Sequence, residues 1–366
     1  MGRSPQVKSR RKNKRGTHTR QPTDLSFNWV WAVIVLAIFG IAILLLMGIL
    51  LLLGGAQPRS DGEVGRADTP ATPQQGDEPA ASVNIEPWNG SERFTMLLMG
   101  MDRRAGETGF AYRTDTMILF SIDPQTGAVG MLSIPRDLYM EIPAYKGQQY
   151  GIQKVTTAFF LGELAAPGRG GGELAMQTIQ YNLGIRVHDY VVIDFQAFIA
   201  LVDAVGGVDI EVPFTINDPS YPDLAYGYDP FYLEAGIQHL DGYNALRYVR
   251  TRHQTDDFSR ARRQQQLLMA IREKVLDLNM LPQLVANAPA VWQSLSENMR
   301  TGLALDQIIR LAWYLKDIPF TRIKSGIIDE AHVRNWQNED GQLVLIPDRA
   351  TMGELMVEIF GPNYSQ

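Results

Sequence analysis

Apolar and polar positions divide the chain into three regimes. From Trp29 to Leu53 the run "WVWAVIVLAIFGIAILLLMGILLLL" contains no charged residue. A helix crossing a bilayer needs about 20 such residues, so the pattern predicts one membrane-spanning helix over 29–53, with Trp29 and Trp31 at the interface. "GGA" at 54–56 would suit signal cleavage, but the apolar region of a signal runs only about 7–15 residues; the segment reads as an uncleaved anchor. From 54 to 90 large apolar residues are sparse and Gly, Pro, Asp and Gln dominate. That composition predicts a disordered extracytoplasmic linker. From 91 onward short apolar segments alternate with polar ones, without a solenoid-length repeat, as expected of one large domain with a sizeable core.

Within that domain, "FTMLLMGMD" (94–102) is almost continuously apolar, the pattern of a strand buried on both faces, and it ends in Asp102. "TDTMILFSID" (114–123) predicts a second strand with Asp115 at its start. "AVGMLSIPRD" (128–137) predicts a third, stopped by Pro135, with Arg136 and Asp137 just beyond. The "DPQTG" turn at 123–127 joins the second and third strands as a hairpin. If the first strand also pairs antiparallel with the second, Asp102, Asp115 and Arg136 meet at one sheet edge. Any one strand-end Asp serves equally well as a turn former or cap; the convergence is what suggests a site. Two carboxylates without nearby Cys or His suit a hard, oxygen-preferring ion such as Mg2+ or Mn2+.

Further along, "ALRYVRTR" (245–252) alternates as a strand does, placing Leu246, Tyr248, Arg250 and Arg252 on one face and Arg247, Val249 and Thr251 on the other. "TDDFSRARRQQQLLMAIREKVLDL" (255–278) reads as a helix capped by Asp256 or Asp257, with Leu267, Leu268, Ile271 and Val275 on its apolar side. Arg260 lies one turn before Gln264, and Arg262 faces solvent. Arg250, Arg252 and Arg260 are thereby expected to fan out where a strand ends and a helix begins, a place that favours anions.

Charge sharpens this expectation. The formal net charge is -6, yet six arginines and no lysine fall between Arg247 and Arg263. Arginine presents a rigid planar fork of donors that matches phosphate oxygens. The bland alternative is a surface salt-bridge cluster with Asp256 and Asp257. The chain has no G-x-x-x-x-G-K-[ST] phosphate loop, so a fan of arginines is the available means of holding a pyrophosphate. The first 28 residues carry eight Lys or Arg and one acid, Asp24; without them 26 basic and 39 acidic residues remain. The basic tail before the apolar run predicts a cytoplasmic N-terminus, with all that follows the anchor outside. The acidic outer part argues against a nucleic-acid partner. There is no cysteine, so no disulfide staples the domain. His188, His239 and His253 show no metal-ligand spacing.

Taken together, "LLMGMDRR", "YRTDTMILFSID", "MLSIPRDLYMEIP", "IQKVTTAFFLGE", "YVVIDFQAFIALVDAVGGVDI", "LDGYNALRYVRTR" and "DDFSRARRQQQ" resemble the LytR-CpsA-Psr family of cell-envelope phosphotransferases over roughly Phe94 to Leu278. The resemblance implies an α/β fold in an α/β/α arrangement: a central mixed β-sheet flanked by helices, with an apolar pocket for a lipid tail, here preceded by the N-terminal transmembrane helix. The domain plan is then a basic tail (1–28), the anchor (29–53), the linker (54–90), a catalytic domain (91–278) and a C-terminal helical or mixed part of the same domain (279–366). That last part matches weakly and carries no expected role.

The resemblance further implies transfer of a phospho-glycopolymer from a polyprenyl-pyrophosphate carrier onto a peptidoglycan sugar hydroxyl. Asp102 and Asp115 would bind Mg2+, with Arg113 beside them. Arg136, Arg250, Arg252 and Arg260 would hold the pyrophosphate. Lys154, Asp203, Asp257, Arg263 and Gln264 also match family landmarks, and Lys154, Arg263 and Gln264 are carried as pyrophosphate ligands. Arg136 and Arg252 are expected to be catalytic, and Asp137 is a candidate general base that could equally just orient Arg136. Thr114 replaces the family's usual Ser and keeps a hydroxyl; Thr156 replaces a common Asn and puts any amide contact there in doubt. "VVIDFQAFIALVDAVGG" and "VTTAFFLGELA" could line the lipid pocket or simply pack as core. "GRGGG" (168–172) could approach a phosphate or form a loop. Two rival functions stay open: hydrolysis of polyprenyl pyrophosphate or a nucleotide, and non-catalytic binding of envelope glycopolymers.

Overall fold

The structure is a computed structural model that describes residues 91–104, 106–223, 227–252, 256–277, 292–293 and 295–365. The basic tail, the expected anchor at 29–53, the linker to residue 90 and His253 lie outside these residues. Among the described residues no helix is long and apolar enough to cross a membrane.

Three strands, β1 (Phe94–Met101), β2 (Thr114–Asp123) and β3 (Ala128–Ile134), form the expected antiparallel meander. The hairpin closes because Asp123 Oδ1 accepts from the Gln125 amide at 3.0 Å and Gly127 takes a left-handed φ of 63°. Pro135 cannot donate to the ladder, and β3 stops before it. A short hairpin follows, β4 (Tyr139–Ile142) with β5 (Gly151–Lys154). Next come α1 (Thr157–Ala165), α2 (Gly170–Leu183), β6 (Asp189–Ile193) and α3 (Phe195–Ala204). Two small sheets pair β7 (Val208–Val212) with β10 (Gly236–Leu240), and β8 (Ile216–Asp218) with β9 (Phe231–Leu233). The chain continues through α4 (Gly242–Arg250), α5 (Asp257–Asp277), β11 (Met299–Thr301), α6 (Leu305–Leu315), β12 (Ile323–Ile327), β13 (Val333–Gln337), β14 (Leu343–Pro347) and α7 (Arg349–Phe360).

β6 joins β1 in parallel and β12 joins β3 in parallel, completing a six-stranded mixed sheet of order β11-β6-β1-β2-β3-β12. Successive residues of a strand face opposite ways, and the two faces bury separate cores. Phe94, Met96 and Leu98 of β1 pack with α3, α4, α5 and α6. Leu97, Met99 and Met101 pack with α1, α2 and α7. The result is helices on both faces of one mixed sheet.

Two local expectations are corrected. Residues 245–250 are helical, not a strand. Asp241 caps α4 by accepting from the Asn244 amide at 2.8 Å, and Ala245, Leu246 and Val249 give it a buried stripe. Tyr248 is buried as well, and Leu246 with Tyr248 also fits a period of two within so short a stretch. The "GRGGG" glycines do not form a free loop, because Gly170, Gly171 and Gly172 make the first turn of α2. The buried Glu163 carboxylate accepts from the Gly168 and Gly171 amides at 2.9 and 3.3 Å, and the glycines let α2 touch α1. A Cβ on Gly162 would lie 2.1 Å from the Gly170 carbonyl oxygen.

Candidate active site

Between the first core face of the sheet and α3, α4 and α5 lies a cavity of about 540 Å3. Leu98, Ile118, Val191, Phe198, Leu201, Leu267 and Ile271 form its apolar wall, while Asp102, Asp115, Arg136, Arg250, Arg252 and Arg260 gather at its polar end. The segment from Val191 to Val202 does line the pocket as one reading expected. "VTTAFFLGELA" does not, because Val155, Ala158 and Phe159 belong to the opposite core. α3 is held in place by its cap: Asp194 accepts from the Ala197 amide at 2.9 Å and from Arg103 Nε at 2.9 Å. Arg103 is itself buried and also bonds the Glu297 carbonyl and Asn298 Oδ1.

The meander delivers its acids as the hairpin geometry predicts, with one refinement. Gly100 pairs with Thr116 and Met101 with Thr114, so Asp115 is the extra residue of a β-bulge. Bulges re-aim side chains and recur beside active sites. Asp115 Oδ2 accepts from Arg136 Nη1 at 3.1 Å. Arg136 Nε lies 3.4 Å from Asp137 and 3.8 Å from Asp257. Burial would lower the Arg136 pKa, but Asp115, Asp137 and Asp257 together hold it above the usual arginine value. Asp102 sits 3.6 Å from Arg104 and 3.9 Å from Arg250, and its buried Oδ1 has no hydrogen-bond donor.

The arginines are individually braced. Arg250 stacks on Phe195 at 4.0 Å and donates to Tyr221 Oη at 3.1 Å. Arg252, still 42% exposed, and Arg260 approach Asp257 Oδ1 at 3.3 and 3.6 Å. Asp257, the first residue of α5, therefore ties together Arg136, Arg252 and Arg260. Arg260 is buried with an unpartnered Nε. Burial first, then Arg252, pushes its pKa down to about 10 against the pull of Asp257. A buried guanidinium with an unused donor is costly until an anion arrives.

The remaining expected residues divide by location. Gln264 lines the cavity and donates to Thr116 Oγ1 at 2.9 Å. Arg113, Asp137 and Lys154 line a separate polar cleft of about 430 Å3 that shares Asp115 and Arg136 with the cavity. Arg113 thus lines the cleft together with Asp115, whereas Asp102 lines the cavity. Asp137 accepts from Lys154 Nζ at 2.6 Å; a carboxylate held between two cations fits the orientation of Arg136 better than the role of base. Arg263 and Asp203 line neither space. Arg263 is buried and donates to the Tyr248 and Thr251 carbonyls, holding the loop that carries Arg252. Asp203 accepts from the Gly242 amide at 2.6 Å, joining α3 to the start of α4. Arg104 and Thr116 also line the cavity without having been singled out in the sequence, and the only signal for Arg104 is its place two residues after Asp102. Among the described residues, no group of three or more His, Cys, Asp or Glu is arranged to hold a metal.

The cavity thus joins an apolar wall to a polar end of braced arginines and acids, a combination whose two parts favour apolar groups and anions respectively. The LytR_cpsA_psr family model matches residues 59–358, and the chain belongs to this family. It is 33% identical over 215 residues to the polyisoprenyl-teichoic acid–peptidoglycan teichoic acid transferase TagU of Oceanobacillus iheyensis, covering 58% of this chain and 60% of that protein. It is 32% identical over 222 residues to the corresponding TagV of Bacillus subtilis, covering 59% and 52%. The chain thus spans between half and two thirds of these relatives' lengths. The crystal structure of B. subtilis TagV superposes with a TM-score of 0.57 at 25% identity, covering 75% of this chain and 98% of that one. TagT bound to LIIa-WTA gives 0.57 at 25% identity, covering 76% and 94%.

Proposed function

We propose that the chain is a phosphotransferase that moves a phospho-glycopolymer from a polyprenyl-pyrophosphate carrier onto a peptidoglycan sugar hydroxyl. The observation that carries this reading is the continuity of the apolar cavity with the cluster of Arg136, Arg250, Arg252 and Arg260. The names of its relatives, teichoic acid transferases acting on polyisoprenyl-linked donors and peptidoglycan, point the same way. In this reading residues 29–53 anchor the chain in the cell membrane as a single pass, with a cytoplasmic N-terminus and the described domain outside.

The lipid tail lies among the apolar residues of α3 and α5, and the pyrophosphate meets the arginines. An acceptor hydroxyl attacks the phosphorus that carries the glycan. The new O–P bond forms as the bond to the bridging oxygen breaks, and polyprenyl phosphate departs with the electron pair. The hydroxyl proton leaves to the departing phosphate or to solvent. Such transfers depend mostly on positioning and charge stabilisation. In this reading Arg136, Arg252 and Arg260 stabilise the charge on the departing phosphate, and Asp257 sets their spacing. Asp102 and Asp115 fit Mg2+, or Mn2+ in its place: both line the polar end, Asp102 Oδ1 is buried without a donor, and such an ion takes its other ligands from phosphate and water. When bound, it would neutralise pyrophosphate charge.

The test uses the full chain in detergent with a synthetic polyprenyl-pyrophosphate saccharide, peptidoglycan oligomers and Mg2+. Saccharide-phosphate joined to glycan, abolished by Arg252→Ala and by Asp102→Ala, is the expected result. Release of free saccharide-phosphate without joined product would make the chain a hydrolase. Chelator-resistant binding without turnover would make it a binding protein.

A further inference from the structure

The polar cleft beside the cavity is closed on one side by a part of the chain to which the sequence assigns no role, residues 338–342. Its walls are Tyr139, Ile152 and Gln153 from β4 and β5, and Asn338, Asp340 and Gln342 from the tip of the β13–β14 hairpin. We propose that this cleft is the subsite for the acceptor glycan strand, with the C-terminal hairpin as its outer wall. The inference rests on the transferase reading for the direction of attack, and on the cleft's own chemistry for its ligand.

Direction comes first. Cavity and cleft share Asp115 and Arg136, but they belong to opposite sides of the sheet edge. The cavity is lined by the core that packs α3, α4 and α5, whereas Leu138, Met140, Ile142 and Leu345 around the cleft belong to the other core. In phosphoryl transfer the attacking and leaving oxygens lie roughly in line. With the lipid phosphate leaving on the cavity side, the incoming hydroxyl approaches past Asp115 and Arg136 from the cleft.

The chemistry then fits a sugar. Gln153, Asn338, Gln342 and Asp340 supply planar amide and carboxylate groups, which pair with hydroxyl and acetamido groups. Tyr139 of the cleft wall packs at 6.3 Å from Trp336, a residue 49% exposed that borders the cleft through this contact. Amphipathic rings of this kind offer an apolar face to the C–H side of a pyranose. A half-exposed tryptophan on a ribbon whose Arg334–Gln337 stretch is exposed throughout contributes little to a core and is suited to a ligand.

The hairpin is also fixed relative to the reacting centre. The Leu345 amide donates to the Asp137 carbonyl at 3.0 Å, and Leu345 bridges to Leu138. β14 is therefore stitched to the residue after Arg136. The tip is rigid: Asn338 Oδ1 accepts from the Gln342 amide at 2.8 Å, and Gly341 takes a φ of 75° to complete the turn. Rigid support of this kind positions a bound group within the tolerance catalysis needs.

The experiment measures transfer by the full chain in detergent at varied concentrations of an uncrosslinked peptidoglycan tetrasaccharide and of donor, alongside calorimetric binding of the tetrasaccharide without donor. Trp336→Ala and Gln342→Ala are expected to raise the acceptor KM about 10-fold, as loss of a well-packed aromatic contact or a hydrogen-bonding pair does, with the donor KM unchanged. Leu343→Ala, on the same hairpin but outside the cleft, controls for damage to the ribbon and is expected to change neither. A rise in donor KM instead would assign the cleft to the donor saccharide and overturn the proposal, as would unchanged acceptor KM values. If the wild-type chain transfers nothing, the transferase reading falls and the binding arm still decides the cleft. Tetrasaccharide binding lost in Trp336→Ala supports it; equal binding to both chains, or to neither, overturns it.

Discussion

Replacing Arg260 by methionine separates what the arginine does for function from what it does to stability. Arg260 is 7% exposed, its Nε has no partner, and Arg252 and Arg136 both oppose its charge. Each tenfold loss of proton affinity corresponds to about 1.4 kcal/mol, so lowering its pKa to about 10 represents on the order of 3 kcal/mol of cost to the folded chain. The favourable pull of Asp257 is already contained in that figure. What the variant loses is a long hydrogen bond to the Asp115 carbonyl at 3.4 Å, roughly 0.5–1 kcal/mol. Methionine fills a similar space, so Arg260→Met is expected to be more stable than wild type by about 1–3 kcal/mol. The sign holds at any pH below about 10, where the arginine is charged in both folded and unfolded chains. Affinity moves the other way: losing charge-assisted bonds to a phosphate weakens binding by about 10- to 100-fold. Denaturant titration of the full chain and calorimetry with inorganic pyrophosphate measure the two quantities. A variant that is less stable than wild type yet binds pyrophosphate equally well would refute the reasoning and make Arg260 a structural residue.

Asp257→Asn keeps the shape of the first turn of α5 but releases Arg136, Arg252 and Arg260; kcat/KM for transfer is expected to fall about 10- to 100-fold, with the circular dichroism spectrum unchanged. Gly162→Ala drives a methyl group against the Gly170 carbonyl and is expected to cost about 1–3 kcal/mol by denaturant titration. His188 and Asp189 titrate in opposite senses. Burial and Arg186 push His188 down to about 4, so it withdraws stability as pH falls from its ordinary range through 4; burial pushes Asp189 up to about 6, so it adds stability as pH falls through 6. From pH 7 to 4, His188→Gln is therefore expected to gain stability relative to wild type and Asp189→Asn to lose it, each by at most about 3 kcal/mol, in denaturation curves recorded across that range.

The parts of the site that were legible in the sequence are those set by local rules. An Asx turn at Asp123, a glycine at 127 and a proline at 135 define the meander, and the meander brings Asp115 to Arg136. The bulge that turns Asp115 was hidden, because pairing of Gly100 with Thr116 depends on the partner strand. The α4 helix was misread for a definite reason. Its nine residues span little more than two turns, too few for a 3.6-residue period to stand out from alternation, and its Asp241 cap lies four residues before the alternating stretch begins at Ala245. Arg263 shows the limit of residue chemistry as a guide: an arginine can bind backbone carbonyls as readily as phosphate, and only the loop's path decides. The C-terminal part carried no local signal for its place. β12 reaches β3 from almost two hundred positions away, and the hairpin finds the residue after Arg136 through backbone bonds that no side chain advertises.

The central claim is that the chain breaks the pyrophosphate linkage in order to join its glycan-bearing half to another sugar. The measurement that tests it most directly is 31P NMR of a reaction containing the full chain, donor, Mg2+ and peptidoglycan oligomers. The account requires one equivalent of polyprenyl monophosphate for every phosphodiester formed on the glycan, both signals vanishing with Arg252→Ala. Polyprenyl monophosphate accumulating with inorganic or free sugar phosphate, and no diester, would contradict it.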